Sequence, residues 1–249
     1  MRFAALALAS IALLAGCKPV PQDSDRPETA RAFPRADRPV SDLGQNKFST
    51  ETQRDSVNEA QTVMDLAEIG NGMTVADIGA GEGYYTVRLA ERVGGEGRVL
   101  AQDIDREALR ELGLRVERER LDNVSIKLGK PDDPGLPKSS FDRIFLVHMY
   151  HEVIEPYAFL WRMRPALREG GKVIVVDVDR PTDKHGIPPA LLFCEFEAVG
   201  FRLAEFVRKP ALQGYYAQFE VTGERPLPAN IKPCRVADKL AAQSPARAP

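Results

Sequence analysis

One stretch of this 249-residue chain concentrates glycine and acid: Asp77-Ile78-Gly79-Ala80-Gly81-Glu82-Gly83. It follows a short apolar run, Thr74 to Ile78. After it, Thr86, Leu89, Ala90 and Val93 recur at helical spacing. Strand, glycine loop and helix start, in that order, make a nucleotide-binding turn. Glycines let backbone approach a ligand with no Cβ in the way. A dinucleotide fingerprint, G-x-G-x-x-G, needs glycine at position 84, where the chain has Tyr84. That disfavours a nicotinamide oxidoreductase. A second acid, Asp103, directly follows Val99-Leu100-Ala101-Gln102. A carboxylate at the tip of a second strand can grip ribose hydroxyls; Asp105 is the neighbouring candidate.

The second group is imidazole. The chain has three histidines, His148, His151 and His185, all on segments that leave the same predicted rim of the sheet. His suits proton transfer near neutral pH. His151 is the first candidate for a catalytic base, His148 the second, and Tyr150 could orient or stack on an acceptor. A metal reading adds His185 or Asp177 to His148, His151 and Glu152. The spacing does not match a helical H-E-x-x-H pair, so no metal is assigned, and Asp177 and Asp179 are read as bounding an acceptor pocket.

These residues require a frame. A helix is predicted over residues 55–68, with Val57, Ala60, Val63, Met64 and Ala67 on one face. Strands follow at Thr74 to Ile78, Arg98 to Gln102 and Val124 to Leu128, separated by helices after Gly83 and around Ala108 to Val116. Ile144 to Val147 and Val173 to Val176 are unbroken apolar runs, as in parallel strands covered on both faces. An aromatic helix from Tyr157 to Leu167 lies between them. A helix over 188–199 and strands near 202–208 and 214–222 complete the chain. The alternation predicts an α/β, Rossmann-like, doubly wound and mostly parallel sheet. The last two strands lack a helix between them and predict an antiparallel C-terminal pair.

The loop D-x-G-x-G-x-G resembles motif I of class I S-adenosylmethionine-dependent methyltransferases. Gly129-Lys130-Pro131-Asp132-Asp133 with Phe141-Asp142 is similar to that family's adenine-side loop. Ala166-Leu167-Arg168-Glu169-Gly170-Gly171-Lys172 resembles its turn before the fifth strand. The resemblance covers about residues 55–225. It implies S-adenosylmethionine as cofactor, held by Asp77, Gly79, Gly81, Gly83 and Asp103, with Asp77 toward its amino-acid end. Lys130 stands where many members carry Asp, so Asp132 takes the adenine-side role. The acceptor is not identified. A non-catalytic envelope module retaining the fold is the alternative, because the cofactor is made in the cytoplasm while the leader predicts export.

That leader begins with Met1-Arg2, continues through an apolar run from Phe3 to Leu14, and ends in Leu14-Ala15-Gly16-Cys17. The run is too short to span a bilayer. The ending resembles a bacterial lipobox, which implies lipidation at Cys17 and an anchored protein. Lys18 rather than Asp after it favours the outer membrane, facing the periplasm. Ten of the nineteen prolines lie in the two ends, which sets the expected boundaries. These are a signal peptide over 1–16, a flexible tether over 17–49, the folded domain over 50–225 and a disordered tail over 226–249. Cys194, in an apolar helix, and Cys234, in that tail, are expected not to pair. A net charge of −2 gives no reason to expect a nucleic-acid partner. Oligomeric state is not indicated.

Overall fold

A computed structural model describes residues 23–41, 50–209 and 214–235. Seven strands form one sheet: β1 (Thr74–Ile78), β2 (Arg98–Asp103), β3 (Val124–Leu128), β4 (Phe141–Val147), β5 (Leu167–Asp177), β6 (Phe201–Lys209) and β7 (Gly214–Val221). Their order is β3-β2-β1-β4-β5-β7-β6. Strands β1 to β5 pair in parallel, and β7 runs antiparallel to both β5 and β6. The predicted doubly wound sheet with an antiparallel C-terminal pair is therefore the observed one.

Alternation along the central strands sorts side chains onto two faces. Ala76, Ile78, Ile144, Leu146, Val173 and Val175 face one core. Helices α5 (Pro156–Met163) and α6 (Pro189–Ala198) cover it. Val75, Phe145, Ile174 and Val176 face the other, beneath α2 (Glu59–Leu66) and α3 (Tyr84–Val93). Burying one such Ile or Phe contributes about 1.5–3 kcal/mol. The edge strand β3 is mostly exposed; α4 (Arg106–Glu119) packs beside it through Leu109 and Leu112.

Several expectations change. The helix predicted over 55–68 is two helices, α1 (Glu51–Ser56) and α2. Asn58 breaks it by taking a left-handed conformation, φ 53°, which Asn tolerates better than most residues. Val57, counted on the buried face, is exposed.

The tether is not free along residues 23–41. Arg26 donates to both carboxylate oxygens of Glu155 at 2.7 Å. Arg38 donates to Glu195 at 2.8 Å and to the carbonyls of His151 and Val153 at 3.2 and 3.0 Å. Ala30 and Phe33 are buried in the α5–α6 core, with Phe33 edge-on to Trp161. A polar, proline-rich composition hides this because the partner carboxylates lie 129 and 157 residues away.

The start of the tail is likewise packed. Cys194 and Cys234 form a disulfide across Cα atoms 6.0 Å apart, contrary to the expectation that they do not pair. Ile231 and Cys234 are buried. The Cys234 N–H donates to the Tyr157 hydroxyl at 2.6 Å. The leader with Cys17 lies outside the described residues, as do 42–49 and 236–249.

Candidate active site

The glycine loop leaves β1 at the carboxyl rim of the sheet, where ligands bind in open α/β folds. The N–H groups of Gly79 and Ala80 donate to the Gln102 carbonyl at 2.8 and 3.0 Å, and that of Gly81 donates to Asp103 Oδ2 at 2.8 Å. The other Asp103 oxygen accepts from the N–H groups of Ile104 and Asp105. Asp103, expected at ribose hydroxyls, thus fixes the loop from the tip of β2 through backbone N–H groups. Asp105, the neighbouring candidate, is instead the N-cap of α4 and accepts from Glu107 and Ala108.

All three loop glycines have positive φ: 69°, 53° and 91° at Gly79, Gly81 and Gly83. They serve different ends. A Cβ on Gly79 would lie 2.8 Å from Met149, and one on Gly83 would collide with Leu112. At Gly81 a Cβ would meet nothing within 4 Å. Gly81 therefore faces the open side of the loop, where a ligand can come against bare backbone. The residues present fit an adenosyl cofactor on that ground.

Two other sequence candidates sit differently from expectation. Asp77 does not line the open face; it is buried and accepts from the Thr86 hydroxyl at 2.6 Å. It locks loop to helix, and burial pushes its carboxyl up to about 6. Asp132 is buried too. It accepts from Arg162 and from the Thr29 hydroxyl, both at 2.6 Å. That ion pair ties α5 to the loop after β3, hydrogen bonds to Thr29 add the N-terminal segment, and Asp132 is committed away from the assigned adenine contact. Tyr84, which breaks the dinucleotide fingerprint, lies between the guanidinium groups of Arg54 and Arg88, 3.8 and 3.9 Å from its ring centre.

The exit of β4 sends four consecutive side chains in four directions. His148 turns with φ 54° and brings Nε2 to 3.5 Å from Glu59 of α2. Glu59 also accepts from Arg54 and from the Tyr85 hydroxyl. Burial would raise its carboxyl, but the hydrogen bonds to His148 and Arg54 outweigh that and hold it at about 2. Met149 lies against Gly79. Tyr150 is fully buried and donates to Glu195 at 2.8 Å; burial beside that carboxylate raises its phenol well above the usual range. It faces the core, not an acceptor, which corrects its assigned role. His151 points to β5, where both Asp177 oxygens lie 3.0 Å from Nδ1.

An ionised Asp177 accepts only, so Nδ1 carries a proton toward it, and in the neutral ring Nε2 is the lone-pair nitrogen. The His151 ring is edge-on to that of His185, with centres 5.8 Å apart. The sequence candidates thus separate. His148 belongs to a buried cluster on the α2–α3 face, while His151, Asp177 and His185 gather on the α5–α6 face. Met149 and Glu59 went unrecognised in the sequence. Adjacency of Met149 to the histidines was the one available signal; Glu59 offered none. A groove of about 570 Å³ at Gly94, Arg98 and Asn123 lies at the amino ends of β2 and β3, the opposite rim from these groups.

A family described as a methyltransferase domain matches residues 69–202, more than half of the chain. A protein-L-isoaspartate O-methyltransferase from Methanothrix thermoacetophila is 27% identical over 156 residues, 63% of this chain and 69% of that protein. A ubiquinone/menaquinone biosynthesis C-methyltransferase from Idiomarina loihiensis is 29% identical over 120 residues, and the match spans 47% of each. Among solved structures, a SAM-dependent methyltransferase from Aquifex aeolicus superposes with a TM-score of 0.61 at 23% identity, over 67% of this chain and 90% of that one. That superposition supports the fold. The glycine loop, its acidic partner on β2 and the family match converge: the chain belongs to the methyltransferase domain family, with S-adenosylmethionine as its cofactor.

Proposed function

We propose that this protein is an S-adenosylmethionine-dependent methyltransferase whose acceptor binds between the exits of β4 and β5, and that it works anchored in the bacterial envelope through Cys17. The observation that carries the reading is shared location. The glycine loop, Asp103 and the His151–Asp177 pair all stand on one rim of the sheet. When bound, the cofactor supplies an electrophilic methyl group and its own leaving group. The chain's residues do the rest. Gly81 admits the cofactor against backbone, Asp103 holds the loop, and Asp177 orients His151 so that Nε2 can activate an acceptor. The relatives carry names of both O- and C-methyltransferases, so the acceptor atom is not inherited from them.

The envelope part rests on the lipobox-like Leu14-Ala15-Gly16-Cys17 and on the Cys194–Cys234 disulfide. Such bonds persist in oxidising compartments outside the cytoplasm.

The test uses protein purified with residues 23–41 retained, since they pack on the domain. Calorimetry should show binding of S-adenosylhomocysteine and none of NAD. Envelope extract with labelled S-adenosylmethionine should yield a labelled acceptor. His151→Ala should lower that labelling roughly 10²–10⁴-fold with S-adenosylhomocysteine affinity unchanged. Cofactor binding with no labelling of any extract would favour a non-catalytic envelope module instead.

A further inference from the structure

The α5–α6 side of the rim carries more than a base. Each of His151, Glu152 and His185 offers a ligand atom, and the three atoms lie within 4.8 Å of one another. His151 Nε2 is 3.9 Å from Glu152 Oε1. We propose that these three residues bind one divalent transition-metal ion at the acceptor rim, with Asp177 orienting the His151 ligand. The proposal deepens the methyltransferase reading by naming how the acceptor site would be built, but metal binding itself does not depend on that reading.

Four observations carry it. First, metal-ligating imidazoles characteristically donate their other ring N–H to a carboxylate. His151 does so toward Asp177, which is fully buried and also accepts from the Val178 N–H. Second, His185 Nδ1 is buried with no hydrogen-bond partner among the described residues. A buried, unsatisfied imidazole nitrogen is costly, and ligation through it would remove that cost. Third, His185 has φ 51°, a conformation that costs a non-glycine residue energy and tends to persist where function needs it.

Fourth, the N-terminal segment clamps both ligand-bearing loops. Arg38 donates to the carbonyls of His151 and Val153. The Ser41 hydroxyl donates to the Thr182 carbonyl at 2.5 Å and accepts from the His185 N–H at 2.9 Å. Rigid support of this kind is what a metal site requires.

The donor set selects the ion. Two imidazoles and one carboxylate suit Zn²⁺, Fe²⁺, Co²⁺ or Ni²⁺ rather than Mg²⁺ or Ca²⁺, which take all-oxygen shells. Bonds of about 2.1 Å at tetrahedral angles put ligand atoms roughly 3.4 Å apart. The cluster must therefore contract by at most about 1.4 Å in its widest pair, from the 4.8 Å limit to roughly 3.4 Å, within reach of the half-buried Glu152 and His185 side chains. Three protein ligands leave a position open, as in catalytic rather than structural zinc sites. An acceptor bearing an ionisable oxygen would complete the shell. With the ion bound the lone pair of His151 Nε2 is taken, so His151 would activate the acceptor through the metal it holds rather than by accepting a proton itself, and the loss of labelling expected for His151→Ala holds on either route.

The test uses the full chain in detergent, stripped with a chelator and titrated with Co²⁺ by visible absorption and with Zn²⁺ by calorimetry. One equivalent should bind, with the absorption of a nitrogen- and oxygen-ligated site. His185→Ala and Glu152→Ala should each weaken it by more than the 10–100-fold typical of losing an outer-shell partner. Asp177→Asn should weaken it within that range. Affinity for S-adenosylhomocysteine, measured on the same samples, reports that each variant is folded and tests the cofactor reading separately. Absence of stoichiometric binding in wild type would overturn the proposal. So would unchanged affinity in both His185→Ala and Glu152→Ala.

Discussion

Asp103 and Asp77 show how two carboxylates on neighbouring strands take different tasks. Asp103 is half-exposed at the strand tip and spends one oxygen on the Gly81 N–H. Replacing it with Ala removes a charge-assisted hydrogen bond, worth roughly 1.5–3 kcal/mol, and releases the loop proposed to hold the cofactor. Affinity for S-adenosylhomocysteine should fall at least about tenfold, or about 1.4 kcal/mol; an unchanged value in folded protein would place the loop's support elsewhere.

Asp77 and Glu59 bend stability with pH in opposite senses. Burial raises Asp77 from 3.8 to about 6, so the folded state holds its proton more tightly than the unfolded chain. Its contribution is present below pH 3.8 and is lost as pH rises to about 6. For Glu59, burial is outweighed by the hydrogen bonds to His148 and Arg54, which lower it from 4.5 to about 2. Its contribution is present above pH 4.5 and is lost as pH falls toward 2. Melting temperature measured from pH 3 to 8 should therefore flatten between about 4 and 6 in Asp77→Asn. It should lose its acid-side fall in Glu59→Gln.

At the scale of elements, the last helix and the chain beyond the sheet are joined covalently. The disulfide links α6 to residue 234 across a sequence separation of 40. The chain-entropy relation gives a closed loop of that length about 4 kcal/mol. Beneath it run the Arg38–Glu195–Tyr150 hydrogen bonds and the Cys234–Tyr157 bond, so one cluster braces the N-terminal segment, α5, α6 and the exit of β4. Cys234→Ser should lower unfolding free energy by about 2–4 kcal/mol in urea. Wild type treated with reductant should match it. Equal stability of oxidised wild type and mutant would show that the bond constrains nothing the rest of the fold does not.

For the whole molecule, the question is where it works. No helix among the described residues is long and apolar enough to cross a membrane; the proposed attachment at Cys17 is through a lipid. Cys17→Ser should move the protein from the membrane fraction to the soluble fraction or stall its processing. Fractionation of cells expressing both forms reads this directly, and unchanged membrane retention with normal processing would exclude the anchor. The segment from Asp23 to Ser41 shortens any tether, because its arginines are fastened to Glu155 and Glu195. The domain would then sit close to the surface that holds it.

The sequence by itself determined what depends on near neighbours. The strand, glycine loop and helix around Gly79 to Tyr84 are local, and so is the β-α alternation, because periods of 2 and 3.6 residues report which faces are buried. The placement of Asp103 follows from the same local pattern. Tertiary structure decided the rest. Arg26 and Arg38 read as part of a tether, and Asp132 as an adenine-side contact, until strands and helices bring Glu155, Glu195 and Arg162 beside them. Cys194 and Cys234 meet only because the chain after β7 returns over α5. The four residues after β4 point in four directions because His148 adopts a left-handed conformation and a 3-10 turn follows at Tyr150–Glu152. No periodicity carries through such a turn, so only the folded chain could assign Tyr150 to the core and His151 to Asp177.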